Sequence, residues 1–430
     1  MDALTLPPIR QIKGTVQPPG SKSISNRALP LAALAEGTTR VLNLPDGEDV
    51  ELMREALAAL RVPMQGSLEA LSVTGDRRGF RAATPVDLFL GNSGTCTRTL
   101  TALLAAGEGE FAVDGVPRMR ERPIKDLVDA LLPLAGGTRI AYGMKEGYPP
   151  LRILARGLAG GTARIRGDIS SQFLTGLLMA MPLCRGPVEV EVEGALVSAP
   201  YVDLTLRVMA AFGVEVENRD FRRFRLEKPA GYLSPGEYRV EPDASSASYF
   251  LAAGAVAGGP VTVRGIGRDS LQGEARFASV LERMGARVEY GPDSITVSKG
   301  ALKGVDADMD EMSDTGMTLA MAALFAEGRT VIRNIGNWRV KETDRIAAMA
   351  AELRKVGAGA EEGPDWLAVT PPEAFRAAVI DTYQDHRMAM CFSLACLGGV
   401  PVTIRDPGCT RKTYPGYFDA FRALVPGGAA

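Results

Sequence analysis

A chain of 430 residues exceeds the length over which one hydrophobic core keeps growing, so two domains are expected. With 46% hydrophobic and 23% charged residues and a formal net charge of −2, it has an ordinary globular composition with no general attraction to nucleic acid or anionic lipid, so any anion site must be local. A lone histidine, His386, argues against His-rich metal sites and a Ser-His-Asp triad. Five cysteines without a CxxC pair, an N-terminus lacking a signal-peptide core and no bilayer-length apolar run read as a reduced, cytoplasmic protein.

The first element with chemical content is PPGSKSISNR, Pro18 to Arg27, followed by ALPLAALAEG. Pro and Gly interrupt regular structure and a serine caps a helix, so the unpaired N–H groups of a helix start are expected here. Such an end attracts anions, and Lys22 and Arg27 strengthen the pull. Five later segments share the pattern: NSGTCTRTLTALLAAGEG, SSQFLTGLLMAMPLCRG, DASSASYFLAAGAVAGG, SDTGMTLAMAALFAEG and QDHRMAMCFSLACLGG. Each has a polar capping cluster, about a dozen mostly apolar residues and then Gly, the start and stop signs of a buried helix. β-Branched strand segments such as PVEVEV and PVTIRD follow, and several units add an amphipathic stretch such as VELMREALAAL.

A repeat of about 70 residues is longer than common solenoid units and fits a closed β/α unit used six times, three per domain. Turn-rich segments at Pro18–Gly20 and VEPD, Val240–Asp243, mark the boundaries. The expected domains are residues 1–20 with 242–430, and 21–241, with the active site in the cleft between them.

Polar residues gather at two equivalent places in the repeats. The capping clusters hold Lys22, Ser23, Asn92, Gly94, Ser170, Ser171, Gln172, Asp314, His386 and Arg387. The turns after the strands hold Arg118, Ser198, Tyr201, Lys341, Glu342, Arg345 and Lys412. Helix N-termini aimed at one cleft, with arginine for bidentate contacts and lysine as a compact charge, suit small multiply charged anions. The residues alone also admit a plainer reading. Ser170, Ser171 and Asp314 then cap helices, Lys341 to Arg345 is a solvated helix start, His386 is a packed histidine, and Cys96 and Cys391 are core. PGSKS lacks P-loop spacing and RGIGRDSLQG lacks the third glycine of a dinucleotide fingerprint.

PGSKSISNR, GNSGT, GVPRMRERP, DISSQFLT, LVSAPYVD, DASSASYFLAA, NWRVKETDRI and DHRMAM, in that order, closely resemble the 5-enolpyruvylshikimate-3-phosphate synthase family, from about Ile12 to Phe421. The resemblance implies an α/β fold of two domains, an inverse α/β barrel-like arrangement of six βαβαββ units closing like a clamshell. It implies enolpyruvyl transfer from phosphoenolpyruvate to the 5-hydroxyl of shikimate 3-phosphate, with loss of phosphate, by addition and elimination. No metal or organic cofactor is implied, and a monomer binding only small molecules is expected.

By the same resemblance, Ser23 and Arg27 hold the shikimate carboxylate. Ser170, Ser171, Ser198, Tyr201 and Lys341 hold its phosphate, and Gln172 and Asn337 aid orientation. Lys22, Arg118 and Lys412 face the phosphoenolpyruvate phosphate, Arg345 and Arg387 its carboxylate, and Gly94 keeps that pocket open. Asp314 is the candidate base at the 5-hydroxyl and Glu342 the candidate acid at the methylene, with Lys22 assisting phosphate departure. The sister enzyme acting on UDP-N-acetylglucosamine carries a reactive cysteine where this chain has the loop of Arg118. A non-catalytic phosphometabolite-binding protein does not require Lys22, Asp314 and Glu342 together.

NSGTCTRTL places Ser93 and Thr99 where many relatives carry Ala and Pro. Loss of a proline shifts the helix start and Gly94 with it, so glyphosate, the family inhibitor at the phosphoenolpyruvate site, is expected to bind more weakly than in proline-bearing relatives. Inhibition constants for the protein and Thr99→Pro should therefore differ, with the variant tighter; equal constants contradict the expectation.

Overall fold

A computed structural model describes residues 2–427. The chain divides into two compact units, Met1–Pro19 with Glu241–Ala430, and Gly20–Val240. Each unit contains three buried helices that begin at the capping clusters. In Gly20–Val240 these are α1 (Lys22–Leu34), α2 (Gly94–Ala105) and α3 (Ser171–Ala180); in the other unit they are α4 (Ala244–Ala257), α5 (Gly316–Ala323) and α6 (His386–Ser393). Every residue of α4 is buried, the pattern of a helix surrounded by protein on all sides.

The βαβαββ unit is clearest around α2. Strand Val86–Phe89 leads into α2, and Glu108–Asp114 returns parallel to it, with Val86 opposite Phe111. Helix Lys125–Leu131 follows, and strands Arg139–Tyr142 and Leu151–Arg156 complete the sheet antiparallel. Leu151, Ile153 and Ala155 are buried and alternate with exposed Arg152, Leu154 and Arg156, the period of two expected of a sheet with one face on the core. The same order recurs around α3 and α5.

The remaining units borrow strands from far along the chain. Glu237–Arg239 pairs parallel with Ala35–Leu42 to complete the sheet of α1. Ile12–Val16 pairs parallel with Gly258–Arg264 beside α4, and Ala3–Leu6 pairs antiparallel with Val402–Arg405 beside α6. Glu237–Arg239 in one unit and the two N-terminal strands in the other thus close sheets through non-local contacts.

Within Gly20–Val240 the inner helices approach through a small residue. A Cβ placed on Gly176 of α3 would lie 2.7 Å from the carbonyl oxygen of Arg98 in α2, which forbids any larger side chain at this backbone separation. Gly176→Ala is expected to lower the unfolding free energy by about 1–3 kcal/mol through overpacking, read as a lower denaturant midpoint. An unchanged midpoint would contradict this close approach.

Candidate active site

In Gly20–Val240 the polar residues cluster at the N-termini of α1, α2 and α3. Ser21 caps α1, its hydroxyl accepting from the N–H of Ile24, so Lys22 is the first helical residue. The Lys22 ammonium lies 3.1 Å from Asp49 Oδ2, and Asp49 is itself buried in the first turn of helix Glu48–Ala59. Arg27, only 2% exposed, is fixed from several sides: Nε donates to Thr205 Oγ1 at 2.8 Å, Nη1 to the Ser23 carbonyl at 2.7 Å and Nη2 to the Tyr201 carbonyl at 3.3 Å. Its head group is thereby held at the seam of α1 and helix Ala199–Ala211.

Asn26, one turn beyond Lys22, is buried, and its amide oxygen and nitrogen make no hydrogen bond among the described residues. Pro30 follows four residues later and has no N–H to offer the Asn26 carbonyl. Buried polar groups are nearly always paired, so this orphan amide in the first turns of α1 is an exception. Its only sequence signal was its position inside PPGSKSISNR.

α2 begins at Gly94 with Ser93 as cap, and two guanidinium groups close over its first turn. A Cβ on Gly94 would lie 2.5 Å from Arg122 Nη2 and 2.7 Å from Arg98 Nη1, so space at this helix end depends on glycine. Arg122 donates to the Asn92 carbonyl at 2.9 Å and Arg98 to Gln172 Oε1 at 2.5 Å, which joins the starts of α2 and α3. Neither arginine was singled out from sequence, although Arg122 lies in the GVPRMRERP motif and Arg98 follows Gly94 by one turn. Thr99 is wholly buried, its Oγ1 donating to the Thr95 carbonyl at 2.8 Å inside an unbroken helix, so proline there would disturb the first turn of α2.

Ser170 caps α3, accepting from the Gln172 N–H, and Ser171 is buried as its first residue. Ser198 precedes helix Ala199–Ala211 in left-handed backbone (φ 54°) and is buried, with Tyr201 half-buried one turn on. Arg118 stands at the start of a 3-10 turn, 2.9 Å from Glu121.

The other unit carries a compact ionic cluster. Arg345, 1% exposed, sits among three carboxylates: Nε donates to Asp385 Oδ2 at 2.7 Å, Nη1 to Asp314 Oδ1 at 3.0 Å and Nη2 to Glu342 Oε2 at 2.9 Å. Asp314 also takes Arg387 Nη2 at 2.8 Å and lies 3.5 Å from the Lys341 ammonium. Asp385 caps α6 by accepting from the N–H of Arg387, while Arg387 Nη1 donates to the buried Tyr249 hydroxyl of α4 at 3.1 Å. Three cations therefore face three carboxylates.

These surroundings set the protonation states. Burial alone would raise the pKa of Asp314, but Arg387, Lys341 and Arg345 outweigh it and hold the carboxyl well below the usual carboxylate range. Burial lowers the Lys341 pKa despite Asp314 beside it, and neighbouring Arg345 adds to the lowering. Burial would also lower Arg345, yet Asp385, Glu342 and Asp314 raise it, so its charge is permanent.

The cluster departs from the plainer sequence readings. Asp314 does not cap α5; it belongs to the 3-10 turn Asp310–Thr315, and Thr315 precedes the helix. The segment of Lys341 to Arg345 is not a solvated helix start, since Arg345 is buried and Asp344 caps the helix Arg345–Lys355 that follows. Asn337 donates to Ser313 Oγ at 3.4 Å, and buried Trp338 donates to the Ser313 carbonyl, pinning that turn to the Asp314 segment. Lys412 is buried at the end of the 3-10 turn Pro407–Lys412, and His386 is buried beside Asp385. The residues assigned to phosphoenolpyruvate divide between the units: Lys22, Gly94 and Arg118 belong to Gly20–Val240, and Arg345, Arg387 and Lys412 to the other.

Among the described residues no group of His, Cys, Asp and Glu is arranged to hold a metal ion, and no helix is long and apolar enough to cross a membrane.

Comparison with known proteins places this arrangement. A family model described as EPSP synthase (3-phosphoshikimate 1-carboxyvinyltransferase) matches residues 6–421. The chain is 54% identical over 426 residues to 3-phosphoshikimate 1-carboxyvinyltransferase of Vibrio cholerae serotype O1, covering 99% of this chain and 100% of that one. It is 53% identical over 427 residues to the protein of that name from Shewanella halifaxensis, with the same coverage. Among solved structures, EPSP synthase from Acinetobacter baumannii superposes with a TM-score of 0.81 at 27% identity, covering 98% of both chains. The enolpyruvyl transferase NikO from Streptomyces tendae, at 21% identity, TM-score 0.77 and coverage of 98% of this chain and 97% of that one, shares the fold. The six-unit architecture, the paired sets of cationic helix starts and a match along nearly the whole chain converge, and the chain belongs to the EPSP synthase family of 3-phosphoshikimate 1-carboxyvinyltransferases.

Proposed function

We propose that the chain moves the enolpyruvyl group of phosphoenolpyruvate to the 5-hydroxyl of shikimate 3-phosphate, releasing phosphate, and that the ionic cluster around Arg345 keeps its acid and base idle until substrate arrives. The observation carrying this reading is Asp314 clasped by Arg345, Arg387 and Lys341, with Glu342 on the same Arg345. Both sets of residues, at the starts of α1 to α3 and around Arg345, serve one pair of substrates in this reading.

Shikimate 3-phosphate is held by its carboxylate at Ser23 and Arg27 and by its phosphate at Ser170, Ser171, Ser198, Tyr201 and Lys341, with Gln172 and Asn337 orienting the ring. The phosphoenolpyruvate phosphate meets Lys22, Arg118 and Lys412. Its carboxylate draws Arg387 from Asp314 and Arg345 from Glu342. Losing cationic partners raises the proton affinity of both carboxylates, so one event readies the base at the 5-hydroxyl and the acid at the methylene carbon.

In the addition step the 5-hydroxyl oxygen attacks C2 of phosphoenolpyruvate and gives its proton to Asp314, while C3 takes a proton from Glu342. The tetrahedral intermediate then loses phosphate from C2 as Glu342 takes a proton back from C3, and the proton taken up by Asp314 passes to the leaving phosphate with Lys22 as shuttle, which restores the base. Atoms balance without an oxidant. A monomer acting on small molecules, with no nucleic-acid or membrane partner, suffices for this chemistry and accords with the near-neutral composition.

Purified protein given both substrates should release inorganic phosphate in step with enolpyruvyl product. Asp314→Ala should chiefly lower kcat, by about two to four orders of magnitude, the usual worth of a general base. Lys22→Ala should instead raise KM for phosphoenolpyruvate most strongly. Phosphate release at background, under conditions where both substrates bind, would replace this reading with simple metabolite binding.

A further inference from the structure

At the other end of the inner helices of Gly20–Val240 lies a cavity of about 800 Å³ lined by Arg77, Arg78, Arg81, Arg156 and Arg185. Its wall includes the segments just after the C-termini of α2 and α3, whereas Gly94 and Ser171 open those helices. Helices of 12 and 10 residues at 1.5 Å per residue put about 15–18 Å between the two ends, so the cavity is separate from the candidate active site.

The rim is a closed ring of chain segments. Glu108 N–H donates to the Phe80 carbonyl at 2.9 Å, Gly157 N–H to the Gly107 carbonyl at 2.9 Å, Arg185 N–H to the Leu158 carbonyl at 3.0 Å and Gly231 N–H to the Pro182 carbonyl at 2.9 Å. A Cβ on Gly231 would lie 3.2 Å from the Arg77 Cβ, which closes the circuit. The arginines therefore stand on a scaffold fixed by backbone bonds rather than on a free loop.

The charge on this ring is not balanced. Arg77 pairs with Glu36 at 2.7 Å, Arg78 with Asp76, and Arg81 with Glu108 at 3.5 Å, all exposed pairs of little individual worth. Among the described residues neither Arg156 nor Arg185 lies within ion-pair distance of a carboxylate; Glu108, the acid on the cavity wall, stands opposite Arg156 in the strand register but pairs with Arg81, so five arginines face one lining carboxylate. The guanidinium of Arg185 lies over Gly157 and donates to the Arg156 carbonyl at 3.0 Å; a Cβ on Gly157 would fall 2.9 Å from its Nη2. That carbonyl ends a strand, so Arg185 is not serving to cap a helix C-terminus. The partial negative charge of helix ends explains some basic character here, but does not explain the Arg185 guanidinium laid over a glycine, nor five arginines around one lining acid, Glu108.

We propose that this arginine-ringed cavity is a binding site for a small polyanion carrying two or more phosphate or carboxylate groups, separate from the substrate site. Its volume falls within the range of small-molecule pockets, and planar guanidinium groups suit bidentate contact with such oxyanions. A multiply charged ligand bridges Arg156 and Arg185 and competes with the exposed acids for the remaining three.

Tripolyphosphate titrated into the full chain by calorimetry, at low and at moderate salt, tests this. The expected result is binding that weakens as salt rises, persists in Lys22→Ala, and falls at least tenfold in Arg156→Ser/Arg185→Ser. Turnover without tripolyphosphate and the thermal melt should be unchanged in that double variant. Should it fail to fold, Arg77→Ser gives the same test from the opposite side of the ring, with a smaller loss expected. The site is refuted if the wild-type chain does not bind, if the arginine variants bind as tightly as wild type, or if Lys22→Ala abolishes all binding, which would assign the anion to the substrate site.

Discussion

A single guanidinium organises the Asp314 half of the candidate site. Arg345 is buried, and burying a charge costs several kcal/mol unless partners replace its water. Asp385, Asp314 and Glu342 do so from three separate stretches of chain, and Arg387 and Lys341 balance the acids in turn. Removing one member would strand a buried charge, so the segments before α5, before the helix Arg345–Lys355 and at the start of α6 are held in one geometry. The cost of ion burial is thereby converted into precise placement of two carboxylates.

Gly20–Val240 reaches a cationic surface by a different physical route. There helix starts add positive partial charge to that of the side chains: Ser21 and Ser170 cap α1 and α3, and Gly94 leaves α2 bare beneath Arg98 and Arg122. The charges that are present are partly held off, Lys22 by Asp49 and Arg98 by Gln172. Local positive charge of this kind is compatible with a nearly neutral chain, whose formal net charge is −2.

Much of the architecture was legible because its signals are local. Ser21, Ser170 and Asp243 each announce a helix by capping it, and the apolar runs that follow have only one way to be buried. The partnership of the terminal strands was not legible, since Ala3–Leu6 finds Val402–Arg405 almost a full chain length away. The site divides in the same way. Motif positions such as Lys22, Arg118 and Arg387 stood out, whereas Asp49, Arg98, Arg122, Asp385 and the orphan amide of Asn26 acquire meaning only through contacts made after folding. Arg345 looked like part of a solvated helix face because Asp314 and Asp385, two of its three acids, are invisible to a helical wheel; the 40 residues separating it from Asp385 carry no periodic signal.

The mechanism turns on the resting state of one carboxyl group, that of Asp314. Carbon-13 NMR of protein labelled at aspartate carboxyl carbons, with the Asp314 resonance assigned by its loss in Asp314→Asn, reads that state directly. In the substrate-free protein Asp314 should remain ionised as pH falls through the ordinary aspartate range, and its proton affinity should rise once unreactive analogues of both substrates are bound. A resonance that titrates at or above the ordinary aspartate pKa in the free protein, unmoved by those ligands, would contradict it.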